Sequence, residues 1–287
     1  MSWPPTVRVA LASRADNVAL IREVLGGLDE ALALGDALDD IKTAVSEACN
    51  NVVMHAYDGR EGPLEVDLRV LEHALEVVVR DHGVGIASRE LAEAVATEQA
   101  TELGPGRGLG LAVISALADS VDMRRREPHG VELVMRFALP SGRGVTLAAA
   151  APPAFAWPDP PDGAVQVSLA PPSLSTAVLA RVVCATAARS GFSVDRLSDA
   201  QLVADALAAG LEPVLSGEAM TLSVESGQRR IELELGPLQP GGSRGALERT
   251  TIGALGGVIE RLADEVEIHP VGSVEHMRLV MVDQSRG

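Results

Sequence analysis

Residues 46–57 read SEACNNVVMHAY, the most informative segment of the chain. Within it, Glu47, Asn51 and His55 recur at every fourth position, so on a helix their side chains share one face. The apolar residues fall on the other side of the same helix, at Val45, Ala48, Val52 and Val53. A carboxylate, an amide oxygen and an imidazole on one stripe suit a hydrated Mg²⁺ ion, although an ordinary solvated helix face has the same pattern.

A second polar segment, RDHGVGI, occupies residues 80–86 and follows an apolar run at residues 77–79. Because Asp81 stands at the predicted end of a strand, its carboxylate is placed to accept a hydrogen bond from an exocyclic amino group. Gly83 and Gly85 allow the backbone to approach a flat ring closely. A plain turn is the alternative, since Asp-x-Gly is a common turn sequence.

A glycine-rich segment, GPGRGLGL, occupies residues 104–111 and opens a predicted helix. The first N–H groups of such a helix are free and lie at the positive end of its dipole, which makes a seat for phosphate. Arg107 adds a fork of donors for phosphate oxygens. The segment lacks both the nearby strand of a dinucleotide-binding loop and the lysine of a phosphate-binding loop, and a flexible loop is the alternative.

The composition limits the class of protein. The chain has 287 residues, 47% of them hydrophobic and only 2% aromatic, so its cores must be aliphatic. A net charge of −16 argues against nucleic acid and anionic membrane as partners. The two cysteines, Cys49 and Cys184, form no disulfide framework or metal motif. With neither a signal peptide nor a long apolar run visible, we expect a cytoplasmic protein.

A linker divides the chain near its middle. Residues 148–163 read AAAAPPAFAWPDPPDG, which can form neither a helix nor a central strand. We therefore predict one domain over residues 1–147 and a second over residues 164–287. The predicted strands of the first domain are residues 7–11, 64–70, 74–80 and 131–139. Its predicted helices are residues 18–34, 39–55 and 109–119.

The apolar pattern of the first domain recurs in the second. Three offsets describe the matches: 158 residues for Val7 to Val165 and Val45 to Val203, 156 for Leu64 to Met220, and 145 for Val113 to Val258. The offset is constant inside predicted elements and changes only in loops. This regularity predicts that the second domain is a diverged copy of the first, and two unrelated α+β domains are the alternative.

In this order and spacing, the three polar segments resemble the Bergerat ATP-binding fold of histidine kinases, type II topoisomerases, a heat-shock chaperone and mismatch-repair ATPases. The motif at residues 46–57, together with Gly108-Leu109-Gly110-Leu111, is most similar to the bacterial anti-sigma-factor serine kinases. The resemblance covers about residues 7–139. It implies an α+β fold of two tandem Bergerat-type sandwiches, each an antiparallel sheet with helices on one face, the second degenerate.

The resemblance also implies roles for single residues. Glu47 would be the catalytic carboxylate, Asn51 the Mg²⁺ ligand, and Asp81 the acceptor for the adenine amino group. Gly83 and Gly85 would shape the adenine pocket. The remaining ATP-binding positions would be His55, Gly106, Arg107, Gly108, Leu109 and Gly110. An ATP lid would span residues 88–105.

The second domain departs from this pattern at most of its chemical positions. The counterparts of Asn51, His55, Asp81 and Gly110 are Ala209, Pro213, Pro237 and Leu255. Only Asp205, opposite Glu47, and Gly253, opposite Gly108, keep their chemistry. Loss of two charge-assisted bonds at roughly 1.5–3 kcal/mol each would abolish useful nucleotide binding. We expect a degenerate copy retained for its shape, forming an intramolecular pseudo-dimer with the first domain.

The function that the resemblance implies is an ATP-dependent regulator. It would be a serine kinase that phosphorylates an anti-anti-sigma protein of the STAS type and sequesters a sigma factor, with ATP and Mg²⁺ as cofactors. A nucleotide-gated switch without phosphotransfer is the alternative. A sensor histidine kinase fragment is disfavoured, because we expect no phospho-acceptor helix pair before the first strand.

Overall fold

The computed structural model describes residues 5–32, 34–83, 109–139, 163–250 and 257–284. The chain divides into two compact units, Met1–Phe155 and Ala156–Gly287. Both are mixtures of helices and antiparallel strands, which confirms the α+β fold class. No helix in the described ranges is long and apolar enough to cross a membrane.

The first unit has five described strands and three described helices. Its strands are β1 Thr6–Ala12, β2 Pro63–Val70, β3 Ala74–Asp81, β4 Ser120–Arg125 and β5 Val131–Ala138. Its helices are α1 Ala15–Leu32, α2 Ala37–His55 and α3 Leu109–Leu117. The strands form an antiparallel sheet in the order β4-β5-β3-β2-β1.

Alternation along these strands builds the core. Every second side chain of β2 and β3 is apolar and fully buried, as at Val66, Leu68 and Val77. The helices pack on this apolar face, and α2 contacts both β3 and β5. The opposite face carries ion pairs, among them Arg80 with Asp67 at 2.6 Å and with Glu132 at 2.7 Å. One face of the sheet is therefore apolar and packs against the helices, and the other face is charged.

The predicted elements of the first unit are confirmed within a few residues, with one omission. Strand β4, SVDMRR, was not predicted, and the helix before it ends at Leu117 rather than residue 119. Only Val121 and Met123 alternate inward in this exposed edge strand, so its periodicity is short and weak. Within α2, Val53 is only partly buried, unlike Val45, Ala48 and Val52.

The second unit repeats this order of elements. Its strands are β6 Val165–Ala170, β7 Met220–Gly227, β8 Arg230–Leu238, β9 Glu265–Val271 and β10 Val274–Val282. Its helices are α4 Ser175–Arg189, α5 Val194–Leu211, α6 Gly242–Arg249 and α7 Val258–Leu262. The strands pair antiparallel in the order β9-β10-β8-β7-β6, the same as in the first unit when corresponding strands are compared.

Candidate functional site

The start of α3 packs directly on the polar stripe of α2. A Cβ added to Gly110, the second residue of α3, would lie 3.2 Å from Oδ1 of Asn51 and 3.6 Å from Cδ of Glu47. Both side chains are partly exposed, so they are accessible to a ligand. The structure thus joins the first and third polar segments in one place, with a carboxylate and an amide beside a glycine-rich helix start.

The second polar segment packs against the C-terminal end of α2. A Cβ on Gly83 would lie only 2.0 Å from the carbonyl oxygen of Ala56, so only glycine fits there. Asp81, the last residue of β3, is 7% exposed, and its Oδ1 accepts a hydrogen bond from the N–H of Gly83 at 2.9 Å. The residue predicted as the adenine acceptor is therefore held rigidly at the end of α2.

A turn between β4 and β5 completes the support of Asp81. A Cβ on Gly130, where φ is +105°, would lie 2.1 Å from the Asp81 carbonyl oxygen. Arg126, at the start of the same turn, contacts Nε2 of His82 at 3.1 Å. Sequence reasoning missed these residues because β4 itself was not predicted. The glycine directly before the predicted strand at Val131 was the one available signal.

Burial sets the protonation behaviour of two groups near the site. Burial raises the pKa of the Asp81 carboxyl above its ordinary value, although backbone N–H groups of Gly83 and Val131 oppose the shift. Cys49 lies two residues from Glu47 and is fully buried, which raises its pKa to about 12. Cys49 therefore stays a thiol near neutral pH and is not a nucleophile.

Several predicted site residues lie outside the described ranges: Gly85, Gly106, Arg107, Gly108 and the lid at residues 88–105. Leu109 is the first residue of α3. His55 is the last residue of α2, a position where basic side chains interact favourably with the helix dipole. The described residues bring together Glu47, Asn51 and Gly110 at one end of the site and Asp81 and Gly83 at the other.

In the second unit, helix α6 packs on the buried side of α5. A Cβ on Gly210 of α5 would lie 3.0 Å from the carbonyl oxygen of Ala246 in α6. Ala246 is 1% exposed, so the contact is tight. Asp205 and Ala209, the counterparts of Glu47 and Asn51, remain exposed. This stripe of the second unit is therefore open but lacks the amide oxygen that the first unit has.

Comparison with known proteins bears on the first unit. Residues 11–137 match the histidine kinase-like ATPase domain. The chain is 31% identical over 125 residues to the serine-protein kinase RsbW of Bacillus thuringiensis strain Al Hakam, covering 42% of this chain and 78% of that protein. The chain belongs to the histidine kinase-like ATPase family. RsbW of Bacillus anthracis matches this chain to the same extent, 31% over 125 residues.

Among solved structures, the RsbU and RsbW domains of Rv1364c from Mycobacterium tuberculosis align over 98% of the present chain and 88% of that chain. The TM-score of 0.29 and the 8% identity are too low to bear on the fold. The family match lies wholly within the first unit, which is also where the candidate site is built.

Proposed function

We propose that this chain is an ATP-dependent serine kinase of the anti-sigma-factor type, with its nucleotide site in the first unit. The observation that carries the proposal is the packing of Gly110 against Asn51 and Glu47. This contact sets a carboxylate and an amide oxygen at the start of a glycine-rich helix, where phosphate binds favourably. The similarity to two proteins named serine-protein kinases supports the reaction class.

The residues present fit both ATP and Mg²⁺. The lack of a side chain at Gly110 lets the start of α3 approach Asn51 and Glu47 more closely than a methyl group would allow, which brings the free N–H groups of the helix start beside both side chains. The Asn51 amide oxygen is a hard ligand of the kind Mg²⁺ takes alongside phosphate oxygens. The described residues contain no cluster of three or more His, Cys, Asp or Glu that would hold a metal alone. Bound there, Mg²⁺ would neutralise charge on the phosphates.

Three side chains of the first unit have separate roles in this proposal. Asp81 accepts a hydrogen bond from the adenine amino group, and its burial strengthens that contact by excluding water. Asn51 would hold Mg²⁺ beside the phosphates through its amide oxygen. Glu47 accepts the proton of the incoming serine hydroxyl and aims that oxygen at the terminal phosphorus. Each group stands on α2 or at the end of β3, so the scaffold is preorganised for this task.

The protein partners of this proposal are a sigma factor and an anti-anti-sigma protein of the STAS type that carries the acceptor serine. It places the chain in the cytoplasm, where sigma factors act. The net charge of −16 is unfavourable for direct contact with nucleic acid.

Transfer of ³²P from labelled ATP to a STAS-type protein from the native host tests the proposal. We expect label on a serine of that protein with the wild-type chain and none with Glu47→Ala. A pull-down of sigma factors with the same chain tests the second partner. ATP binding and sigma-factor capture without any transfer would overturn the kinase and leave a nucleotide-gated switch.

We propose further that the second unit is a degenerate copy that binds no nucleotide. Its identical strand order supports common descent with the first unit. The presence of Ala209 and Pro237 where the first unit has Asn51 and Asp81 supports the loss of the site, since neither side chain supplies an amide oxygen or a carboxylate. The copy would replace the partner subunit in an intramolecular pseudo-dimer, aided by an effective concentration on the order of millimolar across the linker.

A further inference from the structure

Tyr57 is the only tyrosine of the chain and closes the motif at the end of α2. Its hydroxyl donates a hydrogen bond to the Pro63 carbonyl at the start of β2. The same oxygen accepts a hydrogen bond from the backbone N–H of His82 at 2.9 Å. The ring lies over Gly62, where an added Cβ would come within 2.3 Å of a ring carbon. The Tyr57 side chain therefore links the start of β2 and the end of β3 to the end of α2.

The segment that Tyr57 holds is the one that carries Asp81. His82 follows Asp81 directly, so the hydrogen bond from its N–H fixes the peptide plane next to the acceptor carboxylate. Gly83 behind it and Gly130 beside it allow close backbone contacts but supply no directional side-chain bond. Burial raises the pKa of Tyr57 to about 12, so the hydroxyl keeps the proton that it donates.

We infer that Tyr57 is a positioning residue for adenine recognition, which aims the Asp81 carboxylate at the amino group of the base. The inference rests on the proposed function, because it takes Asp81 as the adenine acceptor. The physical reason is the steep angular dependence of hydrogen bonds. A strand end that is free to tilt presents the carboxylate at a poorer angle, while contacts to ribose and phosphates are unaffected.

The test compares two nucleotides that differ only at the contact in question. Calorimetry on the full chain measures the affinity of Mg·ATP and of purine riboside triphosphate, which lacks the amino group. For Tyr57→Phe we expect ATP affinity to fall about threefold to tenfold, the value of one hydrogen bond, and the analogue to bind as before. The preference for ATP over the analogue should fall by the same factor.

A matched control removes a different hydroxyl that contacts the turn between α2 and β2. The Ser13 hydroxyl accepts a hydrogen bond from the N–H of Gly62 at 3.0 Å, and among the described residues it is not hydrogen-bonded to His82 or Asp81. Ser13→Ala should lower the melting temperature but leave the preference for ATP unchanged. If a general loosening of the turn were the cause, the preference for ATP would fall in both variants.

The outcomes separate this inference from the proposed function. If Tyr57→Phe weakens both nucleotides equally, Tyr57 is merely structural and the inference is wrong. If Asp81→Asn retains the wild-type preference for ATP, then Asp81 is not the adenine acceptor and the proposed function itself fails. If Tyr57→Phe does not fold, difluorotyrosine can replace the single tyrosine, and its more acidic hydroxyl should lower the preference for ATP as the pH rises, at pH values where the wild-type preference is constant. A difluorotyrosine protein whose preference follows the wild type over that alkaline range would overturn the inference.

Discussion

Substituting Gly110 by alanine should separate stability from function. The new methyl group would lie 3.2 Å from Oδ1 and 3.4 Å from Nδ2 of Asn51. These contacts are tighter than ordinary van der Waals distances, so the amide must retreat by a few tenths of an ångström. Alanine also favours the helix by at most about 1 kcal/mol over glycine. The substitution therefore perturbs the site while leaving the fold as stable as before or slightly more so.

The expected functional loss follows from that displacement. A shift of about 1 Å in a catalytic group costs on the order of a hundredfold in rate, so a few tenths should cost roughly threefold to tenfold. The loss should grow when Mg²⁺ is scarce, because Asn51 is the proposed ligand. ATP affinity at saturating Mg²⁺ should change little, since Asp81 is untouched.

The assay is ADP release over a Mg²⁺ titration, with thermal unfolding measured in parallel. Gly245→Ala in α6 is the matched control, because its methyl group would meet the movable end of the Arg249 side chain at 3.2 Å and Cγ1 of Val214 at an ordinary contact distance of 3.6 Å. That variant should gain helix stability without loss of turnover. Wild-type turnover and Mg²⁺ dependence in Gly110→Ala would refute the reasoning that Asn51 and Glu47 act where Gly110 packs.

Three further predictions concern the same site and its counterpart. Glu47→Ala should leave Mg·ATP binding nearly intact and abolish turnover, whereas Asn51→Ala should remove the Mg²⁺ dependence of binding; calorimetry and ADP release distinguish them. Because burial raises the pKa of Asp81, acidification should weaken ATP binding more than purine riboside triphosphate binding, beginning above the usual aspartate range, and Asp81→Asn should lose this difference. Restoring polar groups in the second unit with Ala209→Asn and Pro237→Asp should still give one nucleotide per chain by titration, because Pro213 and Leu255 still stand where the first unit has His55 and Gly110; a second site would contradict this.

Periodicity and motif spacing were sufficient to predict most of the first unit. The polar stripe of α2 and the strand end at Asp81 were visible because each depends on residues close in sequence. The contacts of Tyr57 with His82 and of Gly130 with Asp81 join residues 25 or more positions apart. No local pattern encodes such pairs, so they emerge only from the folded sheet.

Helix α6 of the second unit is another feature that local sequence patterns do not encode. Its sequence, GSRGALER, begins with glycines that have low helix propensity, and it was not predicted. The Glu275 carboxylate of β10 accepts hydrogen bonds from the N–H groups of Gly241 at 2.7 Å and Ser243 at 3.2 Å. These bonds cap the helix and hold the pKa of Glu275 below its usual value. A tertiary contact thus supplies what the local sequence lacks.

The proposed function requires one ATP site, in the first unit, where Asp81 recognises the base. Calorimetric titration of the full chain with Mg·ATP, for the wild type and Asp81→Asn, measures both requirements. We expect one nucleotide per wild-type chain and an affinity at least about tenfold weaker in the variant, the loss of one charge-assisted hydrogen bond. Equal affinity in the two proteins, or two equivalent sites in the wild type, would contradict it.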